Sequence, residues 1–387
     1  MPFKQNVGGV FKDAVPFVNV GGVWGQATPW EKVNGVWLNA NPLISFTQLG
    51  TIDTGLISNI SYGNGVYVGV GDQAVNTGAS MKSSFVSTDL ITWTEHNTMP
   101  VQTYWKFSAF GNGVFVAMSV WTGNLIANLN IAVSSDGIIW TDGTIPETFL
   151  LIDDAHKMTG CTGLIFANGF FWASYVYTNV NGTGASYVYK STDGITWTLV
   201  FNTGDYLANV VHLDGDLFGI SNRSVFGQGS RSNHVLISSD GGVTWNTKYT
   251  PVSKQWNDMA FGNGAIVVIN GGDNSNFDQT CIVSSNGGNS WVEGTLPVAC
   301  GWSSIGFSNG KFLAIGTSDY YNGTTVSGTT AHMAISTDGI HWTEVSYLTG
   351  QTSIYFAQML HDVDGSLVIT GNPHNVLSTS VVRVNVN

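Results

Sequence analysis

The sequence is poor in charge and in cysteine. Only 10% of its 387 residues are charged, well below the usual quarter, so charged helical surfaces are not indicated. The three cysteines, Cys161, Cys281 and Cys300, form no spaced motif, and an odd number cannot pair completely. Neither a disulfide framework nor a zinc site is therefore predicted. The net charge of −12 disfavours a nucleic-acid partner, because an acidic surface repels phosphates.

Long apolar runs are also missing. No stretch approaches the roughly 18 apolar residues of a membrane span, so membrane insertion is not predicted. The N-terminal residues MPFKQNVGG lack an apolar core, so no signal peptide is predicted. The sequence is instead rich in glycine, with 48 residues, and in aromatic side chains, at 12%. This composition is typical of an all-β protein with many tight turns.

An Asn-Gly pair, or a close variant of it, recurs along most of the chain before an apolar run. The stretch Tyr62-Gly-Asn-Gly-Val-Tyr-Val68 is one copy, and the turn glycines are spaced by 46 to 56 residues. Asn-Gly between apolar runs is a strong hairpin signal, because both central residues must adopt positive φ. The seven turn glycines are Gly65, Gly113, Gly169, Gly215, Gly264, Gly310 and Gly365.

A second motif, Ser-x-Asp-Gly with a Trp shortly after it, follows the first six of these turns. SSDGIIW, from Ser134 to Trp140, is a typical copy. Leu90 replaces the glycine in the first copy, and Asn286 replaces the aspartate in the fifth. The acidic or amide residues of the six copies are Asp89, Asp136, Asp193, Asp240, Asn286 and Asp338.

The two motifs together predict a repeated unit of four strands. The first two strands meet at the Asn-Gly turn, and the last two meet at the Ser-x-Asp turn. Seven such units, with a period near 50 residues, predict an all-β, seven-bladed β-propeller with four-stranded blades over residues 43–387. The seventh unit lacks the Ser-x-Asp motif. Its outer strand is expected either from residues 381–386 or from residues 44–49, which would close the ring.

The motif Ser-x-Asp-x-Gly-x-x-Trp resembles the Asp-box, or BNR repeat, of sialidases, two-domain xyloglucan hydrolases, sortilin-type receptors and photosystem assembly propellers. The resemblance covers roughly residues 45–387 and implies a propeller. In physical terms the motif is local, because the Asp side chain accepts hydrogen bonds from turn amides and the Trp buries a large surface. A structural role is therefore predicted for the six Asp or Asn residues.

Strand alternation predicts that the Asn-Gly and Ser-x-Asp turns share one face of the propeller. The longer connections then share the opposite face, which we call the loop face. Binding residues usually lie on variable loops held by a rigid scaffold, so any site is expected there. Aromatic side chains near the loop face are candidates for stacking on sugar rings. In the alternative interpretation, these side chains close the hydrophobic core between blades. The candidates are Trp105, Trp256, Trp302, Tyr104, Tyr206 and Tyr355.

Catalysis is a separate question. Sialidases use three arginines, one of them in an Arg-Ile-Pro motif, whereas this chain has three arginines in all and no such motif, so that activity is not predicted. Other glycan hydrolysis needs two facing carboxylates, for which Asp153 and Asp154 are the densest candidates. Asp273 and Asp278 offer oxygen ligands for Ca²⁺ without the full spacing of a calcium loop. The other loop-face acids are Asp72, Asp205, Asp258 and Asp319.

Residues 1–42 carry a different repeat, with a period of 13 residues. Its copies begin GGVF, GGVW and NGVW, and their aromatic residues are Phe11, Trp24 and Trp37. Each copy predicts a small hairpin that is not stable alone. The pattern resembles short V-x-V-x-G-V-W-K repeats of bacteriophage tail and other virion proteins, which implies an arm that docks to the particle.

The leading hypothesis is therefore a non-enzymatic bacteriophage virion protein, tail-associated or receptor-binding and assembled in the host cytoplasm. Its arm would bind other virion proteins, and its loop face would meet a host-surface glycan or a neighbouring virion protein. Two alternatives stay open: a carbohydrate-active hydrolase or depolymerase that uses Asp153 and Asp154, and an assembly-factor propeller. The sequence leaves a homo-oligomer open and predicts no cofactor apart from the weak calcium candidate.

Overall fold

The computed structural model describes most of the chain as strands joined by tight turns. None of the described residues forms a helix, and so none provides a helix that could cross a membrane. The described ranges are 4–7, 10–13, 17–20, 23–26, 30–33, 36–39, 44–52, 55–74, 82–120, 130–143, 156–179, 184–203, 207–213, 215–221, 232–271, 277–322, 325–345, 354–361, 366–373 and 379–386.

The chain divides into two compact units. The first comprises Met1–Ser45 and Asn385–Asn387, and the second comprises Phe46–Val384. The division at Ser45 lies close to the end of the predicted arm at Pro42.

The first unit contains three antiparallel two-stranded sheets, one for each copy of the 13-residue repeat. Val7 pairs with Val10, Val20 with Val23 and Val33 with Val36 beside the three hairpin turns, so the register is the same in each copy. The strands are β1 (Lys4–Val7), β2 (Val10–Asp13), β3 (Phe17–Val20), β4 (Val23–Gln26), β5 (Trp30–Val33) and β6 (Val36–Asn39).

The second unit begins within β7 (Ile44–Ile52) and continues as successive antiparallel sets of four strands. The second and third sets are joined into one larger sheet where Val120 pairs with Gly160. The first set is β8 (Gly55–Gly63), β9 (Val66–Ala74), β10 (Ser84–Ser87) and β11 (Thr94–His96). The second is β12 (Tyr104–Gly111), β13 (Val114–Val120), β14 (Ile131–Ser134) and β15 (Thr141–Asp142). The third is β16 (His156–Ala167), β17 (Phe170–Asn179), β18 (Gly184–Ser191) and β19 (Thr198–Thr203).

The fourth set is β20 (Leu207–Leu213), β21 (Asp216–Ser221), β22 (Ser232–Ser238) and β23 (Asn246–Lys254). The fifth begins with β24 (Trp256–Gly262), β25 (Ala265–Asn270) and β26 (Asp278–Ser284), and its last strand is the first part of β27 (Val292–Ser308). The rest of β27 pairs with β28 (Lys311–Asn322), which is followed by β29 (Thr325–Ser336) and β30 (Thr343–Glu344).

The last set closes the second unit. β31 (Ile354–His361), β32 (Leu367–Pro373) and β33 (Thr379–Val386) form a sheet whose fourth strand is β7. Residues 44–52 therefore supply the outer strand, as one of the two sequence-based alternatives predicted. The first strands of successive sets contact one another in chain order, and β31 contacts β8, so the sets form a closed ring.

The Asn-Gly turns have the backbone that the sequence predicts. Asn64 and Gly65 have φ values of 48° and 80°, and Asn112 and Gly113 have values of 48° and 83°. The residue before the Asn is often glycine for a packing reason. A Cβ on Gly111 would lie 2.0 Å from the ring of Phe166 in the next set. A glycine at this position lets an aromatic ring from one sheet pack on the backbone of its neighbour.

The hydrophobic core lies between adjacent sheets. One cluster joins Val68 and Val70 of β9 to Trp105, Phe115 and Ala117 of the following set. Residues 67–71 of β9 and 115–119 of β13 are buried on both faces, so these stretches show no alternation of buried and exposed residues. The first strand of each set carries a β-bulge, which between Trp105 and Phe107 shifts the register against β13.

Candidate functional surfaces

The Ser-x-Asp turns are closed by their own hydrogen bonds. In the second copy, Asp136 Oδ1 accepts the backbone N–H groups of Ile138 at 2.8 Å and Ile139 at 2.9 Å, and the Ser134 hydroxyl at 2.9 Å. Burial opposes ionisation of Asp136, but these bonds stabilise the carboxylate and leave its pKa below the usual value. The carboxylate is thus occupied inside the turn, which agrees with a structural role.

The tryptophan of the same copy joins neighbouring sheets. Trp140 Nε1 lies 3.0 Å from the carbonyl oxygen of Gly137 in its own turn and 3.1 Å from Ser84 Oγ of the preceding set. Ser84 in turn donates to Gly137 O at 2.8 Å. The fourth strand of this set begins directly after the Trp, at Thr141.

The two departures from the motif behave differently. Leu90 takes the glycine position with φ of 62° and is fully buried, so its side chain packs in the core despite an unfavourable backbone. Asn286 Oδ1 accepts the Ser284 hydroxyl at 3.0 Å and the backbone N–H of Ser290 at 2.9 Å, which is the acceptor role of the aspartate. Both substitutions preserve the turn.

The turn asparagines tie each sheet to the next. The side-chain amide of Asn112 donates to the carbonyl oxygens of Gly169 at 3.0 Å and Thr192 at 2.9 Å, in the Asn-Gly and Ser-x-Asp turns of the following set. The same bonds join Asn64 to Gly113 and Ser135. The two kinds of turn therefore share one face, as predicted from strand alternation.

The three tryptophans predicted at the loop face are buried. Trp105, Trp256 and Trp302 have no exposed surface. Their indole N–H groups donate to the carbonyl oxygens of Val101 at 3.2 Å, Ser232 at 3.1 Å and Val298 at 3.1 Å. Such rings offer no surface on which a sugar could stack, and this corrects the expectation of an aromatic binding ring. The alternative interpretation, closure of the core between sheets, agrees with the structure.

The tyrosine and carboxylate candidates are only partly described. Tyr104 is half-buried at the start of β12. For Tyr355, Asp72 and Asp319 only the strand positions are described, and Tyr206, Asp153, Asp154, Asp205 and Asp273 lie outside the described residues, as does any pairing of Asp153 with Asp154. The arm residues Phe11, Trp24 and Trp37 likewise have described strand positions alone.

Asp278 has partners other than a metal ion. Its Oδ2 forms an ion pair with Lys254 Nζ, and its Oδ1 accepts Asn270 Nδ2 at 2.7 Å and the Thr280 N–H at 2.8 Å. A lysine ammonium beside the carboxylate competes with Ca²⁺ for the same oxygens, which speaks against the calcium candidate at this residue. Within the described ranges, no three His, Cys, Asp or Glu side chains are grouped so that they could hold a metal.

Asp258 links two first strands. Its Oδ2 accepts the Ser304 hydroxyl at 2.8 Å and the Ile305 N–H at 3.0 Å from β27, and its Oδ1 accepts the Met259 N–H at 2.9 Å. Burial raises the pKa of Asp258 to about 6, although these bonds favour the carboxylate. In the first set, Asn59 occupies the corresponding place and accepts the N–H and hydroxyl of Ser108. A residue at this place in the first strand therefore accepts hydrogen bonds from the neighbouring sheet, whether its side chain is a carboxylate or an amide.

A cluster that the sequence analysis missed lies on β28, β29 and β30. Ser318 Oγ is 2.8 Å from His332 Nε2, and His332 Nδ1 is 3.1 Å from Glu344 Oε1. The three residues are far apart in sequence, and only the strand register brings them together. Knowing that Ser318 follows an Asn-Gly turn while His332 precedes a Ser-x-Asp turn would have placed them on adjacent strands.

The three cysteines are buried free thiols. Burial raises the pKa of Cys161 to about 12, and it also raises the pKa of Cys281 to about 12. Burial and the nearby charge of Glu344 raise the pKa of Cys300. A thiol becomes a nucleophile or a soft-metal ligand as the thiolate, so none of the three is prepared for either role.

Comparisons with known proteins bear on the fold. No protein-family description matches the chain, and neither does any curated protein. Solved structures do match. The chain is similar to YCF48 bound to D1 peptide, with a TM-score of 0.59 and 14% identity, covering 89% of this chain and 97% of that one. It is also similar to selenomethionine-substituted virginiamycin B lyase from Staphylococcus aureus, with a TM-score of 0.58 and 12% identity, covering 89% and 99%.

A third match is YCF48 from Cyanidioschyzon merolae, with a TM-score of 0.55 and 12% identity, covering 87% of this chain and 98% of that one. The matched proteins are β-propellers. Likeness at such low identity establishes the fold and leaves the activity open. The second unit of the chain is therefore a β-propeller built of antiparallel sheets.

Proposed function

We propose that this chain is a non-enzymatic bacteriophage virion structural protein, tail-associated or receptor-binding. The arm docks to other virion proteins. The propeller presents its loop face to a host-surface glycan or to a neighbouring virion protein. This places the protein in the virion after assembly in the host cytoplasm.

The finer architecture belongs to the same proposal. We assign seven blades, one to each set of four strands, and the cyclic contacts from β8 through β31 and back to β8 support that number. We also assign the Ser-x-Asp turns to the Asp-box class. The shared acceptor role of Asp89, Asp136, Asp193 and Asp338 toward two successive backbone N–H groups supports this assignment.

The arm carries the functional proposal. It forms three short two-stranded sheets with one register, in a compact unit separate from Phe46–Val384. An isolated two-stranded hairpin is marginal in water, so a row of them needs a partner surface. A repeated segment of this kind before the propeller supports a docking role for the arm.

The choice of the loop face rests on the opposite face. There, the side-chain amides of four turn asparagines donate hydrogen bonds to carbonyl groups of neighbouring turns; these residues are Asn64, Asn112, Asn168 and Asn263. The Ser-x-Asp carboxylates are occupied within their own turns. Among the described residues, these amide and carboxylate groups of that face are already bonded within the propeller, which favours the longer connections of the loop face as the binding surface.

Removal of residues 1–42 tests the proposal, and the structure fixes where the deletion must stop. Because β7 belongs to the last sheet, a chain that starts at Leu43 keeps the closed ring. It should fold, with the circular dichroism spectrum of a β-sheet protein and a cooperative thermal transition, but be absent from purified particles. The control is a full chain with Asn112→Gly, which disturbs the propeller and leaves the arm intact. Incorporation of the shortened chain at the normal copy number would refute the anchoring role.

A second candidate is an assembly-factor propeller that binds a peptide. The likeness to YCF48 bound to D1 peptide favours it. It predicts binding of an extended peptide by the residues 43–387 alone, without any particle. The hydrolase alternative depends on Asp153 and Asp154, and release of reducing sugar from a bound glycan would favour it over both binding proposals.

A further inference from the structure

Ser318, His332 and Glu344 form a hydrogen-bonded cluster on one face of the sheet that contains β28, β29 and β30. We propose that this cluster is a hydrolytic site for carboxylic esters, with Ser318 as the nucleophile and His332 as the general base. A nucleophile in contact with a base that is oriented by a third group is the arrangement that activates a serine. The proposal adds catalysis to the docking and binding roles proposed above and does not depend on them. Of that earlier proposal it replaces only the non-enzymatic character.

The strand register explains why the three side chains meet. Gly316 of β28 lies opposite His332 of β29, so Ser318, two residues further along, is diagonal to His332 on the same face. Ala334 lies opposite Glu344 of β30, which places Glu344 diagonal to His332 on its other side. Diagonal neighbours on one face of a sheet are within reach of long side chains. The His332 imidazole therefore reaches Ser318 on β28 with one ring nitrogen and Glu344 on β30 with the other.

In a neutral imidazole only one ring nitrogen carries a proton, and the hydrogen-bond partners select the tautomer. A carboxylate accepts hydrogen bonds, so the contact of 3.1 Å between Nδ1 and Glu344 Oε1 is satisfied when the proton of the neutral ring is on Nδ1. Nε2 of the neutral ring is then an acceptor, and the Ser318 hydroxyl donates to it over 2.8 Å. This is the tautomer that a general base needs, because the lone pair of Nε2 points at the proton to be removed.

The described residues of the cluster and its neighbours differ in exposure. His332 is largely enclosed, with 12% of its side chain exposed, whereas 49% of the Glu344 side chain is exposed. Ser318 is half-buried, and Thr330, which lies opposite it, is exposed. Gly316 places no side chain beside the imidazole, and a Cβ there would lie 2.9 Å from Cys300 Sγ. An ester can thus approach Ser318 from the side of Thr330 while the base stays shielded.

The reaction consumes one ester and one water. Ser318 Oγ attacks the ester carbonyl carbon as its proton passes to His332 Nε2. The bond from that carbon to the alcohol oxygen breaks, and the alcohol takes the proton. Water then attacks the acyl-serine and gives a proton to His332, and the bond to Ser318 Oγ breaks. His332 returns the proton to Oγ, and the carboxylic acid leaves. Glu344 is a positioning residue that holds the Nδ1 proton and stabilises the charged ring between these steps.

A fluorophosphonate probe tests the assignment on the full chain, because such probes react with serines that a base has activated. The expected result is one labelled peptide containing Ser318 and loss of that label in Ser318→Ala. His332→Gln keeps a hydrogen-bond partner without a base and should slow labelling roughly 100-fold. Ser303→Ala is the matched control, because Ser303 is a half-buried hydroxyl of β27 that bonds only a carbonyl oxygen, Ile315 O, at 3.3 Å.

Hydrolysis of p-nitrophenyl acetate gives the second measurement. Glu344→Gln should lower kcat at least about tenfold with little change in KM or melting temperature, and Glu344→Asp should restore part of the loss. The proposal is overturned if the folded wild-type chain leaves Ser318 unlabelled, or if Ser318 reacts equally fast in His332→Gln. Either result leaves the anchoring proposal intact, because incorporation into particles is measured without an ester.

Discussion

The side-chain amide of Asn263 lies 2.9 Å from the carbonyl oxygen of Thr337, so a turn of one sheet is bonded to the Ser-x-Asp turn of the next. The same amide donates to Gly310 O at 2.9 Å. Asparagine is therefore present for two reasons. It tolerates the positive φ of 50° that the hairpin requires, and its two amide protons bond two carbonyl groups of the neighbouring sheet.

The first prediction separates these two reasons. Asn263→Gly keeps the backbone conformation and removes both hydrogen bonds, so the free energy of unfolding should fall by about 1–2 kcal/mol. Asn263→Asp should cost more, because a carboxylate would face two carbonyl oxygens. Urea denaturation at neutral pH measures both variants. Equal stability of the Gly and wild-type chains would mean that the bonds between sheets contribute nothing.

The second prediction concerns the irregular first copy of the Ser-x-Asp motif. Leu90→Gly relieves a strained backbone, worth about 1–3 kcal/mol, but empties a buried site, which costs about 2–5 kcal/mol. The net effect should be a loss of stability in thermal denaturation. Gly137→Leu at the matched position should be far worse, because a Cβ there would lie 2.3 Å from Val68 Cγ2. A stabilised Leu90→Gly chain would show that strain outweighs packing.

The third prediction distinguishes packing from recognition among the aromatic residues. Trp105→Ala should lower the free energy of unfolding by about 3–5 kcal/mol, because it leaves a large cavity between sheets. Trp105→Phe should keep glycan-array binding unchanged while lowering the melting temperature. Tyr104→Ala is the matched variant at a half-buried neighbour and should change stability less. Loss of glycan binding in Trp105→Phe at unchanged stability would contradict the packing role and would show that Trp105 takes part in binding.

The fourth prediction uses the raised pKa of Asp258. A carboxyl whose pKa is about 6 in the folded protein and about 4 in the unfolded chain binds its proton more tightly when folded. Its contribution to stability is therefore present below pH 4 and is lost as the pH rises to 6, by up to about 3 kcal/mol. Asp258→Asn should flatten this dependence. Urea midpoints at pH 4.5 and 7.5 measure it, and equal slopes in both chains would contradict the assignment.

Much of the fold could be predicted from the sequence because its signals are local. Asn-Gly requires positive φ at both residues, and Ser134 and Asp136 close a turn within a few residues of themselves. Such local chemistry indicates hairpins, and their spacing indicates a propeller. The sequence allows two choices for the outer strand of the last sheet, because pairing between distant strands such as β7 and β33 has no local signal.

The site was harder to predict because function depends on which side of a strand a residue occupies. Trp105 lies seven residues before the turn residue Asn112, which indicates the loop-face level, but the β-bulge between Trp105 and Phe107 changes which residues point into the core. The proximity of Ser318 to His332 is not predictable from the sequence for a related reason. The two residues are neighbours only in the particular register that pairs β28 with β29. Neither a bulge nor a register can be read from composition or repeat spacing.

The pairing of β7 with β33 also constrains the order of events during synthesis. Residues 44–52 are made early, yet their sheet is completed only when residues 379–386 have left the ribosome. Until then β7 has an unpaired edge that other chains can extend. Premature termination anywhere before Thr379 should consequently yield aggregating fragments rather than a smaller working protein. The ring can close only after residues 379–386 have been synthesised.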